Sequence, residues 1–152
     1  PTEAPRLLDR LRRAGYTPIV ACIGVTEDGQ LLNVNADMLA AQLAVNLEVH
    51  RLIILGATAG VLDSNGHSLA RLDDAGVEQL VARGDITAGM VAKLDACRLA
   101  SRNGVDNVII ADGRRTIDLD LLPGTVITAD GGPTNPQASA LAEETDQKGS
   151  ES

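Results

Sequence analysis

Aromatic side chains are almost missing from this chain: Tyr16 stands alone, with no Trp and no Phe. A core must then be built from Leu, Ile, Val and Ala, which favours tight α/β packing. The same absence argues against a surface that stacks single-stranded bases on aromatic rings. Positive charge is also thin. The net charge is −8, and no run of Lys or Arg forms a basic stripe. Duplex DNA and RNA are poor partners for such a chain, because their binding rests on phosphate neutralisation. Part of the negative charge (Glu143, Glu144, Asp146, Glu151) lies in the tail and says little about any site. Long apolar runs are lacking too: none approaches the ~20 residues of a membrane-spanning helix, and no signal peptide is visible. Cysteine is limited to Cys22 and Cys97. Neither has a Cys or His at metal-ligand spacing, so no metal site is expected. Buried free thiols in a reducing cytoplasm are the natural reading.

What is present is enough for a globular core. Apolar residues make up 44% and charged residues 22% of 152 residues, the size of one domain or one large lobe. The chain begins at Pro1 without a Met, which suits a fragment or processed product.

The spacing of apolar residues predicts a helix over Glu3–Ala14, with Leu7, Leu8 and Leu11 on one face and Arg6, Arg10, Arg12 and Arg13 on the other. Gly15 is placed to end it. Thr17–Val25 is a nearly continuous apolar run, the pattern of a strand buried on both faces. Glu27-Asp28-Gly29 is a turn from which Gln30–Val34 returns as a hairpin. A helix is predicted over Ala36–Val49, with Leu39, Leu43 and Leu47 in register and Ala between them. A short buried strand, Arg51–Leu55, leads into the small-residue loop Gly56–Gly66. Asp73 or Asp74 can cap a helix that runs to Arg83 and stops at Gly84-Asp85. A further helix runs from Gly89 to Arg102. Strands follow at Val105–Ala111 and Gly124–Thr128, separated by an Asp112-Gly113 turn. From Asp130 onward the chain is rich in Pro, Ser, Glu and Gln, the composition of a disordered tail. Strands alternate with helices, so the expected fold is a largely parallel sheet sandwiched between helices, with ligands bound at the carboxyl ends of strands.

Three constellations could carry chemistry. Asn33-Val34-Asn35-Ala36-Asp37 follows a strand and opens a helix, bringing two amides and a carboxylate to one helix N-terminus. Plain capping would explain one of the three, but not all of them. Gly56-Ala57-Thr58-Ala59-Gly60 follows a strand, and its backbone N–H groups could approach a phosphate. An ordinary strand-to-helix connection would look the same, and the loop matches neither a Walker nor a dinucleotide fingerprint. In Ile86-Thr87-Ala88-Gly89-Met90-Val91-Ala92-Lys93, the lysine lies one turn into a helix and leans toward its N-terminus, where a phosphate could dock. A solvated helix lysine is the plainer alternative. His50 and His67 have no partners that would make a catalytic triad or a metal site.

These pieces occur in one order, preceded by Gly15-Tyr16-Thr17-Pro18-Ile19-Val20 and followed by Gly124-Thr125. The series resembles the second half of the acetylglutamate kinases, within the amino-acid kinase family, over roughly residues 5–129. It implies that residues 1–129 form the C-terminal, ATP-binding part of an α/β/α kinase domain, truncated at its N-terminal side, with 130–152 as the tail. By this resemblance Asp37 organises the catalytic lysines, Lys93 neutralises the transferring phosphoryl group, and Asn33 and Asn35 bind substrate. Gly56, Thr58, Gly60, Gly89, Met90 and Lys93 form the nucleotide site, and ATP arrives with Mg2+. The partners implied are ATP and N-acetylglutamate, with a homo-oligomer allowed. Two departures stand out. The N-terminal half, with its Gly-rich loop and second lysine, is missing, and Ala57 replaces a usual acidic residue. The alternatives are an N-acetyl-aminoadipate kinase or a non-catalytic, kinase-like regulatory domain of an acetylglutamate synthase. Retention of Asn33, Asn35, Asp37 and Lys93 argues against the regulatory domain, whereas Ala57 favours it.

Overall fold

The computed structural model describes residues 3–114, 118–119 and 122–129. The tail from residue 130, expected to be disordered, lies outside them. The first helix, α1 (Glu3–Arg13), stops where the chain turns through Gly15 at φ 85°. Arg12 and Arg13 both clasp Asp9 on its exposed side.

The run Thr17–Val25 departs from expectation. Only its last residues form a strand, β1 (Ile23–Val25), which pairs antiparallel with β2 (Leu31–Asn33) as the predicted hairpin. The run is exposed rather than buried: Ile19 is 97% accessible, and Ile23 and Val25 are more than half exposed. A strand buried on both faces needs neighbours for its ladder and covers for both sides. Among the described residues no strand pairs with 17–22. Cys22 is accordingly only half-buried, whereas Cys97 is buried as expected.

Helix α2 (Ala36–Asn46) begins with Asn35 as its cap and closes three residues short of the predicted Val49. Leu47 caps it, Glu48 takes a left-handed conformation (φ 50°), and the Val49 N–H returns to the Ala44 carbonyl. β3 (Arg51–Gly56) follows, then the loop, and then β4 (Arg71–Leu72), a strand too short to read from sequence. Asp73 caps α3 (Asp74–Arg83) by accepting the Gly76 N–H, and Gly84 ends it in the left-handed region. Thr87 caps α4 (Ala88–Arg102). β5 (Asn107–Asp112) and β6 (Gly124–Ile127) complete the described chain.

The main sheet has the order β3-β5-β6-β4. Two of its three pairings are parallel, and β5–β6 is antiparallel. Gly124 makes that antiparallel pairing close, because a side chain there would run into the Ile110 carbonyl. Helices flank the sheet, as the sequence predicts. α2 packs on α4 through small residues, Ala41 and Ala44 beside Ala96, Cys97 and Ala100, all buried. Leu94, Val108, Ile110 and Ile127 fill the space between helix and sheet. Asp74, itself buried, accepts bonds from Arg98 Nε at 2.6 Å and Arg102 Nε at 2.8 Å, which fastens α3 to α4. The consequence for the site is fixed geometry. The N-terminal ends of α2 and α4 and the C-terminal ends of β3 and β5 are set by one core.

Candidate active site

Lys93 is one of two lysines in the chain, the other being Lys148 in the tail. It rises from the second turn of α4, and its ammonium meets both carboxylate oxygens of Asp37, in the first turn of α2, at 3.0 and 2.9 Å. Both side chains are about three-quarters buried, with accessibilities of 25% and 21%. This is no solvated helix lysine: the close packing of α2 on α4 brings the pair together. An ammonium has three donors. Asp37 accounts for two of them, which leaves one for another acceptor.

Gly56 ends β3 beside this pair. A Cβ built on it would lie 4.0 Å from Lys93 Cε, so the lysine stem runs past the start of the small-residue loop. Asp112, paired in register with Gly56 at the end of β5, is buried and accepts the Arg114 N–H and guanidinium. The sequence predicts only a turn at Asp112-Gly113. The buried carboxylate ends a β-ladder instead, and the signal for it was an acidic residue directly after an apolar strand. Cys97 lies one turn beyond Lys93. Burial pushes its thiol up to about 12, Asp37 adds to the rise, and Lys93 opposes it.

The remaining predicted residues divide by role. Asn35 spends its side-chain oxygen on the Met38 N–H at 2.9 Å, so it caps α2. Asn33 ends β2, exposed, with its backbone opposite Ile23, whereas Asn35 lies beyond the strand. The chain leaves the strand at Asn33 in order to cap the helix at Asn35. Thr58 donates to the Gly60 carbonyl at 2.7 Å and shapes the loop from within. Gly60 has φ 131° and faces Thr125, so it must lack a side chain for packing reasons. Gly89, in the first turn of α4, has nothing within 4 Å of a built Cβ. Met90 binds its N–H to the Thr87 carbonyl and hydroxyl and leans on the core. The helix N-terminus carrying Gly89 and Lys93 is thus open above and suited to an anion. Among the described residues no three Asp, Glu, His or Cys side chains gather as a metal site. A Mg2+ carried in by phosphates would need few protein ligands of its own. No helix among the described residues is long and apolar enough to cross a membrane.

The sequence model of the Amino acid kinase family matches residues 2–112. An acetylglutamate kinase of Serratia proteamaculans is 44% identical over 119 residues, covering 78% of this chain and 46% of its own length. That of Zymomonas mobilis is 42% identical over 109 residues, with coverages of 72% and 36%. The chain therefore spans less than half the length of these curated relatives. Among solved structures, smu.665 of Streptococcus mutans superimposes with a TM-score of 0.71 at 33% identity, covering 81% of this chain and 47% of the other. An N-acetylglutamate synthase of Neisseria gonorrhoeae, complexed with coenzyme A and N-acetyl-glutamate, gives a TM-score of 0.75 over 95% of this chain and 37% of its own. At 19% identity that likeness speaks for the fold alone.

Proposed function

We infer the function from one premise: this chain belongs to the amino acid kinase family. It is the ATP-binding part of an acetylglutamate-kinase-type phosphotransferase, spanning residues 1–129. The whole enzyme moves the γ-phosphate of ATP to the side-chain carboxylate of N-acetyl-L-glutamate, in the cytoplasm, as a step of arginine biosynthesis. Phosphoryl transfer asks little covalent chemistry of the protein. It needs two anions held in line and the developing charge neutralised.

The observation that carries this reading is the Lys93–Asp37 pair, set beside an open helix N-terminus and the end of β3. Asp37 holds the ammonium at a fixed point, and the donor left over reaches the transferring group. The α4 N-terminus at Gly89 and Met90, with Gly56, Thr58 and Gly60, receives the nucleotide phosphates. Asn33 and Asn35 line the substrate side at the start of α2. Mg2+, when bound with ATP, supplies further charge neutralisation.

In the full-length protein, Asp37→Asn is expected to abolish turnover while nucleotide binding persists. Unchanged turnover would remove the organising role. A second reading rests on Ala57, which brings no carboxylate to the loop. The domain would then be a non-catalytic, kinase-like regulatory unit that binds an amino-acid effector. Lys93→Ala distinguishes the two: it stops phosphoryl transfer in a kinase and leaves effector binding intact in a regulatory unit.

A further inference from the structure

The loop that follows β3 is held by a residue far along the chain. Thr125, in the middle of β6, is fully buried. Its hydroxyl accepts the Val61 N–H at 2.8 Å and donates to the Leu69 carbonyl at 2.6 Å. Those two residues are themselves joined, since the Leu69 N–H reaches the Val61 carbonyl at 2.8 Å. One buried hydroxyl therefore ties together both arms of the loop. Gly60 packs onto the same point, where a built Cβ would fall 2.5 Å from Thr125 Oγ1 and 2.9 Å from Ser68 Oγ. Ser68 in turn donates to the Ala59 carbonyl at 2.9 Å. Upstream of this knot the loop starts at Gly56, against the Lys93 stem.

We propose that Thr125 is a positioning residue: its hydroxyl sets the path of residues 57–69 and so the wall that a nucleotide meets beside Lys93. The inference rests on the nucleotide-binding reading above. A hydroxyl is needed, because one side chain must both donate and accept at a fully buried position. Val has nearly the same shape and can do neither. In its place the buried Val61 N–H and the part-buried Leu69 carbonyl would both lose this partner, and the loop would move to satisfy them.

The test compares Thr125→Val and Thr125→Ser with the wild-type chain by amide hydrogen exchange and by calorimetric titration of MgADP. Thr125→Val is expected to speed exchange at Val61 and Leu69 while β3 and β5 amides keep their protection. It should weaken MgADP binding about tenfold, the equivalent of one good hydrogen bond lost. Thr125→Ser keeps the hydroxyl and is expected to restore both readings, which a merely volumetric role would not allow. Unchanged exchange at Val61 in Thr125→Val would overturn the proposal. So would faster exchange with unaltered MgADP affinity. A folded wild-type chain that ignores MgADP would contradict the nucleotide-binding reading and, with it, the functional half of the proposal. The exchange comparison would still decide whether Thr125 holds the loop.

Discussion

Lys93 and Asp37 stand 56 residues apart in the chain, yet their charged groups meet at 2.9 Å between two helices. An exposed helix lysine could be removed at almost no cost in stability. This one is different, because its loss leaves a carboxylate three-quarters buried without its cation. Lys93→Met and Asp37→Asn are each expected to destabilise the chain by about 1–2 kcal/mol. The double variant should lose less than the sum. Urea unfolding of the three variants measures the coupling, and strictly additive losses would mean that the pair does not interact in solution.

Two glycines assigned to the proposed nucleotide site should behave in opposite ways. Gly60→Ala forces a side chain into positive φ and onto Thr125, so it should cost more than about 2 kcal/mol. Gly89→Ala meets nothing and improves the helix, for a gain of about 0.5–1 kcal/mol. If a nucleotide approaches the backbone at Gly89, the same methyl weakens MgADP binding. A Gly89→Ala chain that is both more stable and unimpaired in binding would take Gly89 out of the site.

Much of this arrangement is legible in the sequence, and the failures have physical causes. Asp73, Gly84 and Gly15 announce their caps because capping is local chemistry. The small residues of α2 and α4 announce close packing, although the most buried positions are Ala41 and Ala44 rather than the leucine stripe. The contact between Lys93 and Asp37 follows only from the resemblance, since no local rule joins residues so far apart. β4 is hidden because Arg71–Leu72 carries no period of its own and exists only through β6. Thr17–Val25 misleads for the opposite reason: its apolar pattern is that of a buried strand, but no described strand lies beside 17–22.

The Asp74 cluster should make stability depend on acid. Burial alone would raise this carboxyl, but the bonds from Arg102 and Arg98 outweigh burial and hold it below the usual carboxylate range. A carboxyl depressed in the folded state stabilises above its unfolded pKa, and that stability is lost as the pH falls through the folded one. Wild-type stability should therefore fall below about pH 4. Asp74→Asn should be less stable at pH 7 and flatter across the acid limb. Melting temperatures between pH 7 and pH 2.5 decide this, and parallel curves would deny the cluster its role.

The two thiols should differ sharply. Cys97 is buried, with its pKa raised to about 12, so almost none of it is thiolate at pH 8. Cys22 is half-buried outside any strand. A chromogenic disulfide reagent should titrate one thiol in the native chain and the second only on unfolding. Equal reaction rates would mean that the α2–α4 interface opens readily.

The most direct test is a thermal melt of this chain titrated with MgADP, beside a Lys93→Ala control. At about 100 times its dissociation constant a ligand adds about 2.7 kcal/mol to the folded state, a shift well within reach of the method. A saturable rise in melting temperature that Lys93→Ala reduces is the predicted result. No rise in a well-folded wild-type chain, or a rise that Lys93→Ala leaves intact, would contradict the assignment of the Lys93–Asp37 pair to a nucleotide site.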